Sequence, residues 1–112
     1  MRTPVLNRKL VLEAATQVPD GAGGFTEVWN ALGTLWAEVT AGTGREVNAG
    51  GLAVSSVPCK IMVRSAPVDA PSRPMAGQRF VDSTRIFRIL AVAEADKGAR
   101  YLTCVAREEV VA

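Results

Sequence analysis

The sequence contains no histidine among its 112 residues. That absence removes the side chain most used for acid–base work near neutral pH, and every Ser/His or Cys/His nucleophile arrangement with it. Cysteine is scarce as well. Cys59 and Cys104 lie far apart without CxxC or Cys/His spacing, whereas a structural zinc site normally draws on four soft ligands. No metal, cofactor or catalytic residue is therefore expected, and the chain is not read as an enzyme. No apolar run approaches the roughly 20 residues that cross a bilayer, and nothing at the N-terminus combines a basic stretch, an apolar core and a small-residue cleavage site. The expectation is a chain made and kept in the cytosol, with no membrane contact and with both thiols reduced as small buried hydrophobes in strands. Charge of one sign is also lacking. Thirteen Lys and Arg against eleven Asp and Glu leave a net charge of +2, so any DNA contact must come from local placement rather than bulk charge.

What remains is a composition that folds. Apolar residues make up 48% and charged residues 21%, far from the pattern that leaves chains disordered, and the length suits one domain over residues 1–112. Lys9 to Val18 reads as a strand ending at Pro19-Asp20-Gly21, followed by Ala22-Gly23-Gly24, a strong hairpin-turn cluster. Phe25 to Val39 is ambiguous. Phe25, Val28, Trp29, Leu32, Leu35, Trp36 and Val39 recur at helical spacing, yet Gly33-Thr34 interrupts them and most of these residues favour strands. Two strand pieces are expected here, broken near Ala31 to Gly33 by a bulge or bend.

Residues 41–57 are rich in Gly, Ala and Ser and carry no clear core element. A connection of that length is uncommon in a compact domain and is usually functional or disordered. A short helical turn over Arg45 to Ala49 is compatible with the sequence, and Gly50-Gly51 would end it. After Pro58 the run Cys59 to Arg64 alternates as a half-buried strand, and Pro67, Pro71 and Pro74 then mark a surface connection. Gln78 to Asp82, Arg85 to Ala93 and Tyr101 to Arg107 follow as a closing meander. Five or six short strands with one long insertion predict an all-β fold, a small antiparallel β-barrel whose closure removes exposed edges.

Chemistry-bearing motifs are few. Gly42-Thr43-Gly44-Arg45-Glu46 lacks the GxxxxGK[ST] pattern of a phosphate loop, and Glu108 and Glu109 sit side by side rather than converging on a cleft. Between Lys60 and Arg88 the basic residues Lys60, Arg64, Arg73, Arg79, Arg85 and Arg88 outnumber Asp69 and Asp82. That bias fits a solvated barrel face, salt bridges between subunits, or phosphate contacts. Trp29 and Trp36 fit either core packing or base stacking.

Several features in order carry a resemblance: the strand at Leu10 to Ala15, the Asp20-Gly21 turn with Gly23-Gly24, Trp29, then Leu35-Trp36-Ala37-Glu38-Val39. Gly44-Arg45-Glu46 follows at the head of the long loop, then Ile61-Met62-Val63-Arg64, a strand with Phe87 and Ile89, and Tyr101 to Cys104 running into Arg107-Glu108-Glu109. From Leu6 to Glu109 the chain resembles the phage head-tail adaptor family, also called head closure or stopper proteins. It departs from that pattern at Val47-Asn48-Ala49-Gly50-Gly51, where large apolar or aromatic residues are common, and in the arginines of its meander. The resemblance implies a β-barrel that assembles as a ring, commonly of twelve subunits, in the neck of a tailed phage or gene transfer agent particle built in the bacterial cytoplasm.

It further implies a portal adaptor above, a tail terminator or tail completion protein below, and packaged double-stranded DNA in the channel. Arg45, Glu46, Val47, Asn48, Leu52 and Val54 are then candidates for a gating or interface loop, and Lys60, Arg64, Arg79, Arg85 and Arg88 for ring contacts or the channel wall. Two alternatives stay open: a tail completion or tail-tube connector protein, and a single-stranded nucleic-acid binding barrel using Trp29, Trp36 and the basic meander.

Overall fold

The computed structural model describes residues 2–42 and 57–109. Alternating apolar positions in each β-rich run build six strands: β1 (Arg8–Pro19), β2 (Phe25–Ala41), β3 (Val57–Arg64), β4 (Arg79–Asp82), β5 (Arg85–Glu94) and β6 (Tyr101–Glu109). All pairings are antiparallel, and the order β1-β2-β3-β6-β5-β4 closes through β4 onto β1. The sequence-based expectation of a six-stranded antiparallel barrel is met.

Period-2 patterning fills the interior. Leu10 and Leu12 of β1, Ile61 and Val63 of β3, Phe80 of β4, Phe87 and Ile89 of β5 and Leu102 of β6 are buried in one cluster, joined by Cys59, Cys104 and Ala106. Both cysteines are buried in strands, with no disulfide between them. Burial drives the Cys104 thiol up to about 12 and pushes Cys59 upward too, because a thiolate loses its hydration inside the barrel. Pro74, in the connection between β3 and β4, is fully buried, and Arg73 ties that connection down by donating to the Ala66 carbonyl at 2.8 Å.

Residues 25–39 form a single continuous strand rather than two pieces, and the expected break is a bulge. Leu12 pairs with Gly33 and Glu13 with Ala31, which leaves Leu32 as the extra residue. A bulge reverses which face successive residues present, so apolar residues on both sides of it fall at spacings of three and four. The bulge accounts for the spacing from Trp29 through Leu32 to Leu35, and the rest of the helical periodicity comes from apolar residues on both faces of the strand, Phe25 and Val28 before the bulge and Trp36 and Val39 after it. The hairpin turn is fixed by Asp20, whose Oδ1 accepts hydrogen bonds from the Ala22 and Gly24 amides at 2.8 and 3.0 Å, with Gly21 and Gly23 at positive φ.

Antiparallel pairing sorts the connections to two ends of the barrel. At one end β1 begins, β2 ends at Ala41, β3 begins, β4 turns into β5 and β6 ends. At the other lie the β3–β4 connection, the β5–β6 turn and the far part of the β1–β2 hairpin. That hairpin runs on past its neighbours: β4 pairs with β1 only through Glu13, and β3 pairs with β2 only from Ala37. Ala14–Pro19 and Phe25–Asn30 are therefore a two-stranded arm, about 20 Å long at the usual rise per residue.

Candidate ring interface

The first candidate element is the loop between β2 and β3. Arg45, Glu46, Val47, Asn48, Leu52 and Val54 lie outside the described residues. Its base is described: Ala41 pairs with Cys59, and the Gly42 amide donates to the Pro58 carbonyl at 2.7 Å, which clamps the two ends of the loop together. Gly42 has no room for a side chain, since a Cβ there would lie 2.8 Å from the same carbonyl.

That end of the barrel is ringed by charge. Arg8 pairs with Asp82 at 2.6 Å, and Arg85 reaches both carboxylate oxygens of Glu108 at 2.8 and 3.0 Å. The Arg85 guanidinium holds the Glu108 carboxyl below its ordinary value, with Arg8 adding to the pull, and Glu108 in turn raises Arg85. The strand parity that sends Leu10, Phe80, Phe87 and Ala106 inward brings Arg8, Asp82, Arg85 and Glu108 to the mouth. Sequence reasoning missed this cluster, because its partners are 74 and 23 positions apart and nothing local announces the pairing.

The five basic residues singled out from the sequence fall into two groups. Arg79 pairs with Glu13 at 2.7 Å, Arg85 with Glu108, and Arg88 with Glu109 at 3.7 Å. The Arg79 and Arg88 guanidinium groups lie 4.1 and 5.5 Å from the centre of the Trp29 ring. Arg79 and Arg88 stand directly opposite each other on β4 and β5, a like-charge pairing that Glu13, Glu109 and the indole offset. Lys60 and Arg64 differ. Both are exposed on the outer face of β3 and neither forms an ion pair among the described residues.

Trp36 is 55% exposed on the outer face of β2, opposite Lys9, whose ammonium lies 5.9 Å from the ring. Arg2 binds Glu38 through both carboxylate oxygens at 2.7 and 3.0 Å, and the Val5 amide donates to Glu38 at 2.8 Å, which straps the N-terminal residues along β2. The hydrogen bonds from Arg2 draw the Glu38 carboxyl below its ordinary value.

The arm is the element that sequence reasoning read only as a hairpin. Phe25 is 68% exposed, Val18 43% and Val28 40%. Between Ala14 and Asn30 the only charged residues are Asp20 and Glu27. Their apolar neighbours do not reach the core because β3 and β4 pair no further along these strands.

The comparisons agree with this architecture. A solved structure titled as the virion of a native gene transfer agent particle contains a chain 57% identical to this one; the match covers 98% of this chain and all of that one, with a TM-score of 0.84. Protein SF1141 from Shigella flexneri 2a shares the fold at a TM-score of 0.67 and 24% identity over the full length of both chains. No curated protein matches the sequence. A family model described as phage head completion protein matches residues 1–109. A barrel of this topology, matched end to end by that model, places the chain in the phage head completion protein family.

Proposed function

We propose that the chain is a structural subunit of a virion neck: it forms a ring below the portal and its adaptor, helps to retain packaged DNA, and offers the surface on which the tail docks. The observation that carries this reading is the full-length family match, and the 57%-identical chain in a gene transfer agent particle supports it. The barrel suits the task mechanically. A closed sheet is a rigid peg, while the loop anchored at Gly42 and Pro58 can be altered without disturbing the core. Nucleic-acid stacking is the weaker reading for Trp29, because two guanidinium groups already occupy its surroundings.

Deletion of residues 47–54 tests retention. The subunit is expected to keep its fold by circular dichroism while heads lose their DNA; normal filled heads from that deletion would count against gating. Binding of the purified protein to DNA-filled, tailless heads supports head closure, and binding to finished tails instead supports the tail completion alternative.

A further inference from the structure

The arm and the opposite flank of the barrel form a complementary pair of surfaces. Around the closed sheet, β1 and β2 lie diametrically across from β6 and β5. The arm extends the first pair. On the outer face of the second pair sits an apolar patch: Leu90 bulges out of the β5–β6 ladder at 49% exposure, and Val105 is 45% exposed beside Ala91. Lys60 lies directly opposite Val105 on β3, with Arg64 further along the same face, so two cations that form no ion pair among the described residues border the patch. One face of the arm carries the converse chemistry, apolar Phe25 beside the carboxylate of Glu27, which makes no ion pair among the described residues, while Val18 and Val28 stand on the opposite face.

We infer that the arm of one copy lies on the β5–β6 flank of the next, with the Phe25 face covering Leu90 and Val105 and with Glu27, on that same face, facing Lys60. Three features support a second copy as the occupant. Donor and acceptor surfaces sit on opposite sides of one subunit, the arrangement of a heterologous contact that repeats around a ring. The arm is acidic where the patch border is basic. Strands in closed barrels also tilt by roughly 35–45°, so a hairpin that continues two of them leaves toward a flank rather than along the axis. A two-stranded ribbon is only marginally stable alone, and seating on a neighbour would cover the face that exposes Phe25.

This inference rests on the ring reading, and the test separates the two. Particles are produced by cells whose only copy of the gene carries Glu27→Lys, Lys60→Glu, both substitutions, or a full deletion. Each single reversal is expected to lower the yield of filled, tailed particles about tenfold or more, because it sets like charges together, and the double reversal to restore it. Purified single variants should melt with the wild type, which excludes misfolding. In assembled particles, Glu27→Cys combined with Lys60→Cys should give a ladder of disulfide-linked oligomers on oxidation. Loss of particles in the deletion alone, with normal yields from both single reversals and no ladder, overturns the arm contact and leaves the neck role standing. A reversal at Glu27 that the double variant does not rescue, again with no ladder, also overturns it, in favour of a different protein under the arm. Normal particles from the deletion would sink the neck role itself.

Discussion

The two halves of the β1–β2 hairpin share one ladder and end in opposite circumstances. In the near half, Leu10, Leu12 and Ala37 are fully buried under the closed sheet; in the far half, Val18, Phe25 and Val28 stand open to solvent. Both halves have β-favouring sequence and continuous pairing. What differs is whether other strands reach them, since β4 stops at Glu13 and β3 at Ala37. Local sequence thus sets the hairpin, and closure elsewhere in the chain decides which part of it becomes core. An apolar side chain on the far half contributes little to holding the subunit together and is left available for contact with something else.

The sharpest way to break that contrast is a pair of truncations. Leu12→Ala should destabilise the subunit by about 2–5 kcal/mol, through lost transfer energy and the cavity left behind, whereas Val18→Ala should fall within about 0.5 kcal/mol of wild type. Denaturant midpoints measure both. An equal loss at Val18 would mean that the arm packs against its own barrel.

This contrast also marks how far the sequence could be read. The turn at Asp20 to Gly24, the strand from Cys59 to Arg64 and the bulge near Gly33 were visible, because each rests on residues within a few positions of one another. The paired status of Arg79, Arg85 and Arg88 was not. Their partners, Glu13, Glu108 and Glu109, become neighbours only once the sheet closes, so the sequence left the basic bias between Lys60 and Arg88 open among a solvated face, salt bridges between subunits and phosphate contacts, and did not reveal that three of these arginines pair within the subunit. The arm escaped for the converse reason: strand propensity reports pairing, and nothing in it says how far the neighbouring strands run.

A smaller effect is expected where the two halves join. Trp29 sits at the base of the arm beside Arg79 and Arg88, contacts worth about 0.5–2 kcal/mol when partly desolvated. Trp29→Ala should speed amide hydrogen exchange in residues 14–18 and 25–28 while leaving exchange at Leu102 and Cys104 unchanged. Faster exchange throughout would show that arm and barrel open as one unit.

Acid separates the two ends of the barrel by a further, weaker measure. The folded Glu108 carboxyl titrates below its ordinary 4.5, chiefly through its hydrogen bonds from Arg85, so its stabilisation is complete above that value and is lost as pH falls through the depressed one. For a pair this open to solvent the gain is about 0–1 kcal/mol and declines with salt. Glu108→Gln should therefore melt slightly below wild type at pH 7, with the gap closing in acid and in high salt. Asp20 is also held low, but by the Ala22 and Gly24 amides. Acid should loosen the arm's turn with much less dependence on salt, which amide exchange at residues 21–24 as a function of pH would read.

The least perturbing measurement uses the thiols. Burial raises Cys104 from 9.0 to about 12, so its thiolate fraction near neutral pH is about a thousandfold below that of an open cysteine, and its sulfur is shielded as well. Alkylation of Cys104 must then wait for the barrel to open. A cysteine at the arm position Gln17, which is exposed in β1, needs no such opening and should react at the rate of a free thiol. In the isolated Gln17→Cys subunit the two sites should label on widely separated timescales, and denaturant should accelerate only the slower one. In assembled particles the arm site should slow while Cys104 does not change, because docking on a neighbour covers the arm without altering the core; an arm that stays fully reactive in the particle would mean that its exposed side chains face solvent there too.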